Sequence, residues 1–473
     1  MVPGTSPAGR RTRRDGGRPR MSAPADPLAV MRSRAYLGAL ALAVVLGVPI
    51  AAAAFGFLKL TSLVQRWVFT DLPHALGLGE APVWWPLLPL AVAGLLVGLT
   101  VRYLPGHGGE EPTKGFSGGR IAAGRDLPGI LLAALASIGL GAVVGPEMPL
   151  IALGGGLAHL AVTLGRRDVP ARTGALVAAT GSFAAISTLF GTPLAGAFLL
   201  LEASAVGGLL ATAVLLPGLL AAGVGALVFT GLDSLTGFGT FSLVVPGLPT
   251  AGTPTVAEFG WAVAIGLAAA PACVGLRRLA GALSGWVRPR PVPATVALGL
   301  LTAGVAIGYS QVTGHGVSDV LFSGQDQLPG LIDGRAGYTV GALLLLLLCK
   351  GLAYVAGLGA FRGGPTFPAL FLGAAGGLAL SHLPGLPVVP AVAMGMAAMT
   401  AAMLKLPMTA VLVTTMVLGS DGFPVIPLTI VAVVVAYVAQ IWLGPAPVPA
   451  GEPGRAPDLP APRRSDSPAT RPG

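Results

Sequence analysis

Residues 145–156 read GPEMPLIALGGG, and the reading of this stretch decides the fold. From Asp126 to Asp168 the only acidic residue is Glu147, which stands between Pro146 and Pro149 with no basic residue beside it and three glycines ahead. An ionisable side chain in so apolar a setting is read as functional by default. The prolines and glycines around it say that the backbone is interrupted at the same point.

Composition puts this stretch in a bilayer. Of 473 residues, 53% are hydrophobic and only 10% charged, with a mean hydropathy of +0.79; soluble domains carry about a quarter charged residues. An all-α, polytopic membrane protein is expected. Apolar stretches near 36–60, 84–104, 207–231, 257–281 and 339–361 reach the roughly 20 residues that a helix needs to cross a ~30 Å hydrocarbon layer. Shorter or interrupted ones fill 128–164, 174–205, 294–309, 367–383 and 389–443. With 71 Gly and 43 Pro, many helices should begin or end inside the membrane, where broken backbone is tolerated only if buried in protein or lining a watery cavity.

The net charge of +10 invites a nucleic-acid reading, but eight arginines, among them Arg10, Arg18 and Arg34, fall just before the first apolar span. They read as a positive-inside signal that leaves the N-terminus in the cytoplasm, with no nucleic-acid partner. Residues 1–35 are expected to be a disordered cytoplasmic leader, with Met21 as an alternative start, and residues 444–473 a disordered Pro-rich tail. Cys273 and Cys349 provide neither a disulfide framework nor a metal site, and no cofactor is implied.

The chain repeats itself. GPEMPLIALG at Gly145 matches GPTFPALFLG at Gly364, with Gly, Pro, Pro, Leu and Gly at the same offsets. Upstream, Gly106-His107-Gly108 is echoed by Gly314-His315-Gly316; downstream, GSFAAISTLFGTPLAGA from Gly181 parallels GMAAMTAAMLKLPMTAV from Gly395. Three blocks in one order at nearly constant spacing imply two membrane repeats, 36–231 and 257–443, joined by a linker over 232–256. Duplicated halves with Gly/Pro-interrupted segments in matching positions are the pattern of transport proteins, whose site lies between the repeats near the midplane.

Gly145-Pro146 and Gly364-Pro365 read as helix starts, because proline suits a first turn whose N–H groups have no partner. Beyond each lie free N–H groups and the positive end of the helix dipole. Two such starts aimed at one point would hold a small anion without a full positive charge, which permits release as well as entry. Thr366, at the position of Glu147 in the second copy, can add a hydroxyl. The Glu147 carboxylate can itself occupy such a site as a tethered competitor, and its protonation would free the path. The plainer alternative is a glutamate that only caps its own helix.

These motifs resemble those of the CLC family of chloride channels and chloride/proton antiporters, whose signatures are GSGIP, G(K/R)EGP and GxFxP in that order. Gly145-Pro146-Glu147-Met148-Pro149 is similar to the second, with Glu147 on the family's external gating glutamate. Gly364-Pro365-Thr366-Phe367-Pro368 is similar to the third, with Thr366 where phenylalanine usually stands. FGTPLAGAFLLLE, residues 190–202, resembles the segment leading to the family's internal acid. The resemblance runs from about residue 36 to 443. It implies two inverted-repeat halves with broken, re-entrant helices, a homodimer with one pore per subunit, and chloride or a similar small anion as cargo across the cell membrane.

Departures from the pattern bear on mechanism. In place of GSGIP stands Gly106-His107-Gly108-Gly109-Glu110-Glu111-Pro112, so His107 and Gly108 occupy the place of the chloride-contacting serine, and His107 reads equally as ligand or as structural residue. No tyrosine stands where the family's pore tyrosine belongs. Glu202 resembles the acid preceding the internal proton relay, and Ala203 fills the relay position. Alanine carries no proton, so either the protein conducts passively or Glu202 or water substitutes in a proton path. Lys350, alone in LLLLLLCKGLAYVAG, and Arg362 read as structural cations or as anion attractors. A cation transporter on the same plan would use Glu147 and Glu202 as ligands, but the broken segments are nearly bare of further acids and amides. An intramembrane enzyme is disfavoured by the lack of HExxH, paired aspartates or a GxSxG nucleophile.

Overall fold

The computed structural model describes residues 28, 31–116, 121–165, 171–187, 189–190, 192–203, 208–237, 244–245, 248–249, 251–333 and 337–444. Most of the arginine-rich leader, Arg166, Arg167 and the tail beyond Gly444 lie outside the described residues, as does part of the 232–256 linker. The described chain is helical, without a sheet. Its first part holds α1 (Arg34–Arg66), α2 (Leu87–Tyr103), α3 (Leu127–Gly139), α4 (Glu147–Gly165), α5 (Ala171–Ile186), α6 (Pro193–Ala203) and α7 (Gly208–Thr236). Then come α8 (Val256–Val287), α9 (Pro291–Thr313), α10 (Val340–Ala360), α11 (Thr366–Leu380), α12 (Val388–Leu404), α13 (Pro407–Leu418) and α14 (Ile426–Leu443).

Among the described residues seven helices are long and apolar enough to cross a membrane, including α4, α8, α9, α10 and α14. Others are too short. At about 1.5 Å per residue, the 11 residues of α6 and the 12 of α13 cover little more than half of a hydrocarbon layer. Prolines set these starts: Pro193 and Pro407 each open a helix, where a missing N–H costs nothing.

Lipid offers no hydrophobic drive for helix association, so the crossings depend on small residues that let backbones approach. α4 crosses α5 where Gly154 meets Gly181, and a Cβ on either would strike the other's carbonyl oxygen. α11 crosses α12 in the same manner at Gly373 and Gly395. Between α2 and α9 the contact is reciprocal: a Cβ on Gly94 would strike the Thr295 carbonyl, and one on Gly299 the Leu90 carbonyl. Leu90 and Gly94 stand to Thr295 and Gly299 at one constant sequence offset. Equivalent residues that contact each other reciprocally are related by a local two-fold axis, which is how an inverted repeat packs.

α11 and α12 form the centre and are buried on nearly every face. On the periphery α14 exposes Ile430, Val434, Val438 and Ile441 as one apolar stripe, a surface suited to lipid.

Candidate functional site

The two proline-containing starts meet. Gly145 and Gly364 exchange both backbone hydrogen bonds, the Gly145 N–H donating to the Gly364 carbonyl at 2.8 Å and the Gly364 N–H to the Gly145 carbonyl at 2.6 Å. The pair is a single antiparallel bridge between the matching residues of the two copies, again a local two-fold. It fixes the N-termini of α4 and α11 side by side, with Pro146 and Pro365 immediately ahead of the first helical residues. Tyr354 on α10 braces the second start by donating its hydroxyl to the Pro365 carbonyl at 2.6 Å.

Glu147 is fully buried. Its side chain crosses to the other copy, where Oε1 accepts the Thr366 N–H at 2.7 Å. The N–H groups of Glu147 and Phe367 and the Thr366 hydroxyl also surround the carboxylate. Oε2 and the Thr366 Oγ1 make no hydrogen bond of normal geometry among the described residues. The carboxylate lies against Gly145 and Gly364, where a Cβ on either residue would overlap it. Neither glycine has a positive φ, so space and not backbone conformation demands them. Phe367 is buried and stacks on Phe190 at 5.5 Å between ring centroids, with Pro149 and Pro368 buried and Met148 half-buried beside the site. A carboxylate in this seat sits where two helix dipoles end and peptide N–H groups converge, an arrangement that receives any small anion of similar charge.

The remaining residues singled out above lie elsewhere. His107 is exposed, and its ring is held by Nδ1, 3.1 Å from the Val101 carbonyl. Its neighbour Gly108 is buried against Ala133 and Arg362. Neither hydrogen-bonds to Glu147 among the described residues. Glu202 on α6 spans to the first turn of α13: one oxygen accepts the Met408 N–H at 2.9 Å, the other the Thr409 N–H at 2.8 Å and the Thr409 hydroxyl at 2.7 Å. Lys350 donates to the Asp319, Val320 and Leu321 carbonyls at 2.8, 3.4 and 3.1 Å and lies 4.2 Å from the Phe371 ring centroid, the structural of its two readings. Arg362 is buried; its backbone N–H donates to the Ser137 hydroxyl at 3.0 Å, and its Nε is without a partner among the described residues. Tyr354 and Ser137 carried no sequence signal, Ser137 acting on a residue 225 positions away, and Phe190 stood out only as the first residue of FGTPLAGAFLLLE.

Comparison with known proteins finds relatives of the chain and solved structures of the same fold. The model of the family described as voltage gated chloride channel matches residues 93–440. A protein of Shigella boydii serotype 4 described as "Putative ion-transport protein YfeO" is 29% identical over 359 residues, 73% of this chain and 79% of its own; that of Escherichia coli K12 matches equally. Among solved structures, a slow cyanobacterial Cl⁻/H⁺ antiporter superposes with a TM-score of 0.69 at 22% identity, over 86% of this chain and 95% of its own. A CLC-type fluoride/proton antiporter superposes at 0.58, with 22% identity and coverages of 86% and 97%. A eukaryotic CLC transporter gives 0.62 at 18% identity, over 86% and 74%.

Proposed function

Because the chain belongs to the voltage gated chloride channel family, we propose that it moves chloride or a similar small anion through the seat between α4 and α11, with Glu147 as the gate. The supporting observation is the carboxylate itself, which fills the convergence of both helix starts and accepts the Thr366 N–H. A protonated side chain would gain less from these N–H donors than a carboxylate and yields the seat to an anion. Gly145, Pro146, Met148 and Pro149 from one copy and Gly364, Pro365, Thr366, Phe367 and Pro368 from the other form its walls, and His107 and Gly108 are the further candidates for contact with the anion.

Transport is passive in this reading. Ala203 offers no titratable group, and both oxygens of Glu202 are committed to the α13 first turn, so the side chain serves as a cap in preference to a relay. The assembly is a homodimer in the cell membrane, its N-terminus cytoplasmic by the positive-inside argument. The gate is tested by chloride efflux from liposomes. Replacing Glu147 by Gln or Ala should give flux that no longer responds to pH; a variant with the pH response of the unaltered protein counts against gating. The competing reading, proton-coupled exchange, draws on two structures of similar fold, a Cl⁻/H⁺ antiporter and a fluoride/proton antiporter. Reversal potentials under an imposed pH gradient separate them, since coupled exchange shifts with the gradient and passive conduction does not.

A further inference from the structure

Away from the gate, α1 lies at the periphery and exposes Leu37, Val44, Val45 and Val48, a face suited to lipid. Beside that face a groove runs between α1, α4 and α5 and takes in about 300 Å³ with its opening. On α1 its lining extends from Ala39 to Ile50, with Ala158 of α4 and Val177, Thr180 and Gly181 of α5 opposite. The one hydroxyl there is already engaged, since Thr180 donates to the Leu176 carbonyl at 2.9 Å. At about 1.5 Å per residue, the stretch from Ala39 to Ile50 measures roughly 16 Å, half of a ~30 Å hydrocarbon layer. The groove therefore has the depth of one leaflet.

Its end toward the N-terminus is different in kind. Tyr36 stands on the same face of α1, one turn ahead of Ala39, and a helical side chain leans toward the N-terminus, which carries its hydroxyl to the mouth of the groove. Tyr36 is only 7% exposed, yet that hydroxyl has no hydrogen-bond partner among the described residues. Leaving it unpaired is costly. Arg32 and Arg34 lie just outward and are exposed, and no carboxylate of the described residues is within salt-bridge distance of either. One end of the groove thus calls for an anionic acceptor and the other for an apolar chain one leaflet deep.

We propose that the groove and the start of α1 form a site for one anionic phospholipid. An acyl chain lies along α1 against α4 and α5, and the phosphate accepts the Tyr36 hydroxyl and the guanidinium N–H groups of Arg32 and Arg34. The apolar lining holds any lipid tail, while the arginines select net negative charge in the headgroup. This site is independent of the anion-transport reading and stands or falls without it.

Native mass spectrometry of the full chain tests the proposal. The delipidated protein is offered equimolar phosphatidylglycerol and phosphatidylcholine with identical tails. Preferential retention of phosphatidylglycerol is expected, and equal retention of the two overturns the site. Each arginine near an anionic headgroup should contribute about fivefold, so Arg32→Gln/Arg34→Gln loses roughly 25-fold in retention of phosphatidylglycerol. Tyr36→Phe should weaken that retention further, and Ala39→Phe, which fills the head of the groove, should reduce retention of both lipids. Unchanged retention in folded Ala39→Phe, or in the double arginine variant, refutes the assignment; the arginines are exposed, so that variant remains decisive if Ala39→Phe does not fold. Inorganic phosphate is the last arm: binding as firm as that of phosphatidylglycerol would show that the groove contributes nothing and would also overturn it.

Discussion

Replacing Gly364 by alanine should open the gate without touching Glu147. A Cβ built on Gly364 would lie 2.8 Å from the Glu147 Oε1, and closer still to Cδ and Oε2, whereas non-bonded heavy atoms rest at about 3.5–4.0 Å. Something must move. The backbone at Gly364 is tied to Gly145 by bonds of 2.8 and 2.6 Å, while the carboxylate ends a side chain with several rotatable bonds, so the carboxylate leaves. Gly364 does not use a positive φ, so alanine adds no backbone strain there. The departing carboxylate gives up the Thr366 N–H bond of 2.7 Å. A hydrogen bond to a charged group contributes about 1.5–3 kcal/mol, and at ~1.4 kcal/mol per tenfold the closed state loses roughly ten- to a hundredfold in population. The assay is chloride efflux from liposomes at pH 7.5 and 4.5. Gly364→Ala should flow at both, where the unaltered protein is expected to flow mainly in acid. An added methyl can also obstruct the anion, so the double variant Glu147→Ala/Gly364→Ala completes a cycle. If the methyl acts through the carboxylate, adding it to Glu147→Ala changes nothing. A folded Gly364→Ala protein that keeps the original pH response, or a double variant much slower than Glu147→Ala, would refute the reasoning.

Other substitutions should separate structure from gating. Lys350→Met orphans three carbonyls and should cost about 3 kcal/mol, seen as a lower thermal midpoint in detergent; an unchanged midpoint would show that those contacts contribute little. Gly373→Ala drives a methyl into the Gly395 carbonyl and should destabilise by about 1–3 kcal/mol, again read by thermal unfolding, with no loss expected if α11 and α12 can part freely. Glu202→Ala removes the acceptors at the start of α13 and should cost about 1–2 kcal/mol while the pH response of efflux stays intact; loss of that response would make Glu202 part of a proton path.

Much of the architecture was legible in the chain because it depends on local rules. Hydropathy and the scarcity of charge identify a helical membrane protein, and the proline positions mark the starts of α4 and α11 to within a residue. The repeated GPxxP blocks flag two equivalent helix starts. Lys350 and Arg362 show where this kind of reading stops: both are lone cations in apolar sequence, yet one is saturated by carbonyls from a loop some thirty residues away and the other keeps a buried Nε without a partner among the described residues. His107 sits in a motif position that suggests a ligand, and its exposed ring is held at the Val101 carbonyl.

What the sequence by itself determined is the class, the duplication and the identity of the unusual acid, since apolar content, repeat spacing and proline chemistry are properties of neighbours along the chain. Only the tertiary structure decided that Glu147 reaches over to the other copy's Thr366 and that Gly145 pairs with Gly364. Those facts follow from a two-fold packing of helices hundreds of residues apart. The contacts are made between backbones brought together by glycines, and no side-chain pattern records which glycine faces which.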